Sequence, residues 1–385
     1  MNARPHVLWI ATHPIQYQAP VFRHLAASSR VTFEAAFLTR HGVESTFDPG
    51  FGAEFAWDIP LLDGYTSSFI TNARHIDAPV AASAVVRFLA THPATLTVVS
   101  GYHAHGLRVA LATARLLRRP VALLSESTLE SSEARSSVQR VKRGVLGALL
   151  HGQWALAPGQ RARRYLESLG VRPEHVHPYP YCVDPARLDH AYLEREQTRA
   201  RCRDSLGIPD DAFVFLFVGK LVEKKRPLEL LRAFLSLERG HLVYVGSGEL
   251  EPTLRAVAGR SPRVHFAGFK NQTELPAYYA ASDVLALPSR ATETWGLVVN
   301  EAMSLGNAII VSSEAGCSDD LVRGRGTGWV VERPDELATA LRAALADPAR
   351  VAEMGRAARA LIEAHRPIHA ARGVDDAAIA SLAQR

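Results

Sequence analysis

Residues 283–301 read Asp283-Val-Leu-Ala-Leu287-Pro-Ser-Arg290-Ala-Thr-Glu293-Thr-Trp-Gly296-Leu-Val-Val-Asn-Glu301. A short apolar run ends at Pro288, a polar loop follows, and Gly296 opens a second apolar stretch of helical character. Strand, loop and helix in that order form the repeating unit of a parallel sheet, which binds ligands outside the carboxyl ends of its strands, beside helix N-termini. Gly296 stands where the helix begins, so neighbouring amides can face an anion or a hydroxyl. Glu293 lies in the loop above, and Glu301 one to two turns along the helix. Ionised carboxylates so placed accept hydrogen bonds from the vicinal hydroxyls of a polyol. The plainer alternative makes Glu293 a loop carboxylate and Glu301 a helix-face residue.

The same alternation extends in both directions. Apolar runs at 6–11, 31–38, 96–100, 121–124 and 154–157 read as buried strands. Helical patterns at 19–27, 106–118 and 160–169 separate several of them. The proline- and aromatic-rich stretch His175 to Asp184 reads as a linker. Beyond it come strands at 213–218, 241–245, 264–267, 283–287, 308–312 and 328–331, interleaved with helices. Apolar runs joined through helices imply parallel strands with crossover connections. The expected class is α/β, two doubly wound Rossmann-like domains facing a cleft. Residues 1–184 would form one domain and 185–365 the other, with 366–385 a helix packing back on the first.

Bulk properties narrow the function. A chain of 385 residues suits two domains of ordinary size. Hydrophobic residues at 47% and charged residues at 22% mark a globular protein. The formal charge of +5 suits an anionic partner such as a nucleotide diphosphate or an acidic membrane surface. No run alternates dense basic residues with aromatics, which argues against nucleic acid. Cys182, Cys202 and Cys317 stand in no paired spacing, so neither a disulfide framework nor a zinc cluster is expected. The apolar run after the N-terminus is too short for a signal peptide, and no stretch reaches the roughly 18 residues of a membrane span. A cytoplasmic location follows as the expectation.

Two further strand ends in the second half carry candidate chemistry. Gly219-Lys220 closes the strand at 213–218, and Lys225 precedes Pro227 at the next helix. Two ammonium groups there would offset a diphosphate, although Lys220, Lys224, Lys225 and Arg226 also read as a solvated surface run. Gly246-Ser-Gly248 is a second strand-to-helix turn where glycine lets backbone approach a ligand. No dinucleotide fingerprint follows the first strand and no P-loop lysine-threonine pair occurs, which weighs against nicotinamide and P-loop enzymes.

Taken together these motifs resemble those of the retaining glycosyltransferases of family four, with the GT-B fold, over nearly all of the second half. The match comprises Phe217-Val-Gly219-Lys220 with Lys225, Gly246-Ser-Gly248, Val264-His-Phe266-Ala-Gly268, Tyr279-Ala-Ala-Ser-Asp283 with Pro288-Ser289, and Glu293 spaced from Glu301. The resemblance implies a nucleotide-diphosphate sugar donor and no metal. Lys220 and Lys225 would hold the diphosphate. Glu293, with the amides of Trp295, Gly296 and Leu297, would contact the sugar. Glu301 would take the ribose hydroxyls, and the backbone at Gly268 and Phe269 the base. Lys220 stands where the family usually has arginine, losing the planar fork. Trp295 replaces the commoner phenylalanine, a swap that could reshape the sugar pocket. The segment Ala315-Gly316-Cys-Ser-Asp-Asp320 is a variant of the usual paired-glycine element.

The first half matches less. Its first strand runs into Thr12-His13-Pro14-Ile15-Gln16-Tyr17, similar to a bacterial subgroup of such enzymes. His13 and Gln16 would face the acceptor, or His13 would only cap a structural loop. His103 and His105 end another strand, one of them structural. Glu126 stands where relatives often carry histidine, and would orient or deprotonate the acceptor, or else cap the Ser125-Glu126-Ser127 turn. The acceptor is an unidentified hydroxyl of a sugar, a lipid-linked glycan or a small molecule. Residues 134–166 carry Arg135, Arg140, Lys142, Arg143, Arg161, Arg163 and Arg164 and no acid. They read as a core-facing helix with a solvated basic side, or as a peripheral contact to anionic lipid if Val138, Val141, Val145, Leu146 and Leu149 form an apolar face. The expected reaction is transfer of a hexose-like unit to a hydroxyl with retention, in glycan, polysaccharide or glycoconjugate synthesis. Donor would bind the second domain first, and cleft closure would bring the acceptor. A nucleotide-sugar epimerase is the alternative enzyme, and a catalytically inactive nucleotide-sugar sensor the non-enzyme reading.

Overall fold

The computed structural model describes residues 4–48, 53–76, 78–129 and 137–383. Contacts divide the chain into one compact unit of Met1–Thr46, Glu54–Val183 and Arg366–Arg385, and another of Phe47–Ala53 and Asp184–His365.

The first unit begins with β1 (His6–Ala11), α1 (Ala19–Ala26) and β2 (Thr32–Phe37). A short two-stranded sheet, β3 (Thr46–Asp48) and β4 (Ala53–Phe55), of which Phe47, Asp48 and Ala53 belong to the other unit, precedes β5 (Thr66–Phe69). Then come α2 (Ala82–Thr91), β6 (Leu96–Ser100), α3 (His105–Leu116), β7 (Val121–Leu124), α4 (Ser137–Leu150), β8 (Trp154–Ala157), α5 (Gln160–Ser168) and β9 (Val176–Pro178). Seven strands pair in the order β5-β2-β1-β6-β7-β8-β9, parallel throughout. Residues 7–11 of β1 are wholly buried, as expected of a strand covered by helices on both faces. The Trp9 ring sits 5.1 Å from that of Phe22 on α1.

The second unit carries α6 (Pro185–Leu193), α7 (Arg195–Leu206), β10 (Val214–Val218), α8 (Pro227–Leu235), β11 (His241–Val245), α9 (Glu251–Ala258) and β12 (Val264–Phe266). It continues with α10 (Leu275–Ala281), β13 (Val284–Leu287), α11 (Leu297–Ser304), β14 (Ala308–Ser312), β15 (Gly328–Val331), α12 (Leu337–Ala346) and α13 (Pro348–Ile362). The six strands are parallel, in the order β12-β11-β10-β13-β14-β15. Finally α14 (Pro367–Leu382) packs on α1 and β9 of the first unit. Two Rossmann-like parallel sheets are thus the fold, as the strand pattern implied. In each, the strand order reverses beside the unit's first strand, at β1/β6 and at β10/β13, and there the connections part and leave a crevice.

One expectation is corrected. The stretch read as a linker opens with a sheet strand, β9, followed by Tyr179 and Tyr181, both buried. Proline is tolerated there because an edge strand leaves backbone donors unused on its outer side. Tyr179 N–H still donates to the Ala157 carbonyl at 2.9 Å.

The basic region divides. Residues 130–136, including Arg135, lie outside the described residues. On α4, Leu146 and Leu150 are buried while Val141 and Val145 are 67% and 58% exposed, so its apolar residues do not share one face. Arg161 is buried, and Arg163 pairs with Glu167 at 2.9 Å. A uniformly solvated basic side is therefore not what forms. No helix among the described residues is long and apolar enough to cross a membrane.

Candidate active site

In the second unit the crevice is built by three strand-end loops tied together through backbone. Gly219 N–H donates to the Val245 carbonyl at 2.9 Å, Leu221 N–H to Ser247 at 2.9 Å, and Gly246 N–H to Gly268 at 2.8 Å. Gly246 has φ +132°, and a Cβ there would collide with the Gly219 carbonyl oxygen. Glycine at this turn is what allows the two loops to meet. Gly219, Gly246, Gly248 and Gly268 thus share one cluster, with Phe269 following it.

The lysine run is a solvated face only in part, Lys224 being exposed while Lys220, Lys225 and Arg226 are half-buried. Lys225 donates to Glu293 Oε2, both side chains being only 16% exposed. Arg226 pairs with Glu314 at 2.7 Å and adopts φ +52°, a conformation that non-glycine residues rarely hold without support from their surroundings. Arg290 N–H donates to the Lys224 carbonyl at 2.9 Å. The loop between β13 and α11 is held as well, since Gly316 and Cys317 N–H, in the loop after β14, donate to the Glu293 and Trp295 carbonyls at 2.9 and 3.1 Å. The variant element at 315–320 therefore holds the Glu293 loop in place. Lys220 sits half-buried after β10, on the same strand-end loop as Lys225.

Gly296 caps α11 with φ +102°. The first-turn N–H groups of a helix, here including that of Leu297, lack intrahelical partners and attract anions. Glu301 is buried in the second turn, its Oε2 accepting from the Tyr279 hydroxyl at 2.6 Å and its Oε1 lying 3.8 Å from Arg187. Burial raises its pKa, opposed by Arg187 and by the tyrosine hydrogen bond. At 3.8 Å the arginine contact is ionic and too long for a hydrogen bond, so Oε1 keeps acceptor capacity. Glu301 is thus a buried carboxylate of α11 with two side-chain partners, not one on a solvent-exposed helix face. Trp295 is a correction of the opposite kind. Its indole is buried with Nε1–H donating to Asn300 Oδ1 at 2.9 Å, so the side chain belongs to the core and only its backbone borders the loop.

In the first unit, the crevice at β1/β6 holds a pocket of about 470 Å³ lined by His13, Gln18, Ser100, His103, Glu126 and Tyr181 among others. Glu126 accepts from the Tyr181 hydroxyl at 2.9 Å, and the Tyr17 ring lies 5.4 Å from that of Tyr181. His13 Nδ1 and Thr12 Oγ1 share a hydrogen bond of 2.9 Å, and the ring packs edge-on to His41. His103 stacks on Tyr102. His105, the first residue of α3, instead lines a neighbouring pocket of about 390 Å³. Gln16 does not line the larger pocket. A turn closed by Gln18 N–H on the Ile15 carbonyl at 3.0 Å brings Gln18 there instead, its Nε2 donating to Ser100 Oγ at 3.0 Å. Gln18, Tyr181 and Arg187 carry no motif signal in the sequence, and the motifs that contain Tyr17 and Tyr279 do not say what those rings touch, since tertiary contact decides it. No group of three or more metal-ligating side chains gathers among the described residues.

Two histidines predict acid sensitivity. Burial and a neighbouring histidine lower His13 from 6.5 to about 4 and do the same to His265, which hydrogen-bonds His241 at 2.9 Å. The unfolded chain takes up these protons near 6.5 and the folded protein only near 4, so stability is full above pH 6.5 and lost as pH falls towards 4. Urea unfolding between pH 7 and 4 should show this slope, and the double variant His13→Gln, His265→Gln should flatten it. An unchanged slope would show that other groups govern acid unfolding.

With this geometry established, residues 198–361 match the family model of glycosyl transferases group 1. D-inositol 3-phosphate glycosyltransferase 2 of Catenulispora acidiphila is 33% identical over 198 residues, 46% of this chain and 46% of its own. A GDP-mannose-dependent monoacylated alpha-(1-6)-phosphatidylinositol monomannoside mannosyltransferase of Corynebacterium glutamicum is 32% identical, covering 52% of this chain and 55% of its own. The chain thus spans about half the length of the curated relatives it matches. Anabaena HepE, solved in complex with UDP and glucose, shares the fold at TM-score 0.71 and 18% identity, over 97% of this chain and 99% of its own.

Proposed function

We propose, from the match of residues 198–361 to the family model of glycosyl transferases group 1, that the protein moves a sugar from a nucleotide-diphosphate sugar to an acceptor hydroxyl with retention at the anomeric carbon. The observation that carries this reading is the Lys225–Glu293 pair, set beside the start of α11 at the β10/β13 crevice. Lys220 and Lys225 take the diphosphate and stabilise its departure, the charge that grows most in the transition state. The α11 amides at Gly296 and Leu297 add to this, so the chemistry requires no metal. Gly219, Gly246 and Gly248 let backbone approach the phosphates, Glu293 holds sugar hydroxyls, Glu301 takes the ribose and the backbone at Gly268 and Phe269 the base. The leaving phosphate draws off the acceptor proton on the same face, which requires no protein nucleophile. Glu126 and His13 orient or deprotonate the acceptor in the first unit's pocket, with His103 beside them.

The work is glycan or glycoconjugate synthesis in the cytoplasm. Exposed Val141 and Val145 on α4 offer a peripheral contact to anionic lipid, checked by sedimentation with anionic vesicles.

A thermal-shift series with uridine, guanosine and adenosine diphosphates and their sugars tests the donor assignment. A ligand at about 100 times its Kd adds about 2.7 kcal/mol to native stability. At least one nucleotide should raise the midpoint, and no shift with any of them would sink the reading. Incubation with donor alone separates the epimerase alternative, which would yield an epimerised sugar without acceptor.

A further inference from the structure

We infer that the first unit's pocket selects an uncharged polyhydroxyl acceptor and rejects a phosphorylated one. The inference rests on the transferase reading and deepens it by naming the substrate class.

The lining is polar yet nearly without charge. Gln18, Ser100, Ser125, Ser127 and the Tyr181 hydroxyl are neutral, and Glu126 supplies the single formal charge among the described lining residues. His13 adds none near neutral pH, because burial and His41 hold its pKa at about 4. Arg108 is not among the lining residues; it is exposed, its Nη1 donating to the carbonyls of His103 and Tyr102 at 2.6 and 3.4 Å. A phosphate entering here would shed water beside Glu126 and meet no lysine or arginine among the described lining residues, only the imidazoles of His13 and His103.

Hydrogen-bond polarity points the same way. Gln18 Oε1 is buried without a partner, while its amide nitrogen is held by Ser100. Glu126 accepts from Tyr181 and retains further acceptor capacity. These groups call for donors, which hydroxyls supply and a phosphate dianion does not. The same chain shows what it builds where anions are to be held. The second unit's crevice has Lys220 and Lys225 beside a helix start, whereas the first unit's pocket has the starts of α1 and α3 at Gln18 and Ala104 but no lysine or arginine among its described lining residues.

The test uses the full chain and whichever nucleotide sugar it hydrolyses, reading release of nucleoside diphosphate. Acceptors are offered as matched pairs, namely glucose with glucose 6-phosphate, myo-inositol with its monophosphate, and glycerol with glycerol 3-phosphate. The neutral member should show kcat/KM at least about tenfold higher, the scale set by an unscreened like charge at a few ångströms. Glu126→Gln should raise the phosphorylated-to-neutral ratio several-fold. This ratio stays readable even if overall turnover drops. Preference for phosphorylated members, acceleration by no neutral compound, or a ratio unmoved by Glu126→Gln would overturn the inference. In those cases donor binding and slow donor hydrolysis persist. If no nucleotide sugar is bound or hydrolysed, the transferase reading has failed and the inference falls with it.

Discussion

Lys225→Ala is expected to lower sugar transfer by roughly 10²–10³ in kcat, the usual cost of removing one group that stabilises charge in the transition state. The side chain comes off the loop between β10 and α8 and meets Glu293 across the β10/β13 crevice. In the free protein its ammonium balances that carboxylate, and with donor bound it would face a departing diphosphate. Both partners are only 16% exposed, so the variant also leaves Glu293 largely buried and unpaired, at a cost of up to about 3–5 kcal/mol. Turnover measured well below the variant's own unfolding midpoint separates catalysis from damage. Lys225→Arg should recover part of the rate, because charge is retained but reach and hydration differ. Nucleoside-diphosphate release and thermal unfolding on the same preparations decide the matter. Full turnover in Lys225→Ala would remove this lysine from the donor site.

Gly246→Ala should be strongly destabilising, by about 2–6 kcal/mol. Roughly 1–3 kcal/mol comes from holding alanine at a left-handed φ, here +132°. A similar amount, about 1–3 kcal/mol, comes from forcing a methyl into occupied space, here against the Gly219 carbonyl. The turn cannot simply relax, because Gly246 N–H is bonded to Gly268 and Gly219 N–H to Val245. Against a total of about 5–15 kcal/mol, this is a large fraction. Gly144→Ala is the control, since a Cβ there meets nothing within 4 Å and lies within α4. It should be neutral or stabilise by up to about 1 kcal/mol. Equal midpoints for the two variants would show that the crowding at Gly246 is relieved without cost.

Much of the fold was legible in the chain because its signals are local. Buried parallel strands read as short apolar runs, and the 6–11, 96–100, 121–124, 154–157, 241–245, 308–312 and 328–331 strands form with the ends expected. β9 was not legible, since a proline-rich edge strand has the composition of a linker. The spacing of Glu293, Gly296 and Glu301 announced a helix start flanked by carboxylates, and α11 begins there. Trp295, next to them, could not be oriented from its type, because only packing decides whether an aromatic lines a loop or fills the core.

Periodicity, turn glycines and strand-end placement were thus set by neighbouring residues, whose propensities act over a few bonds. Tertiary structure alone decided the partners. Arg187 and Tyr279 reach Glu301, Glu293 meets Lys225, Tyr181 meets Glu126, and Gln18 takes the place that Gln16 was expected to hold. These contacts depend on strand order and loop closure across distant parts of the chain. A side chain's direction in a loop follows from what packs against it, and no local pattern records that.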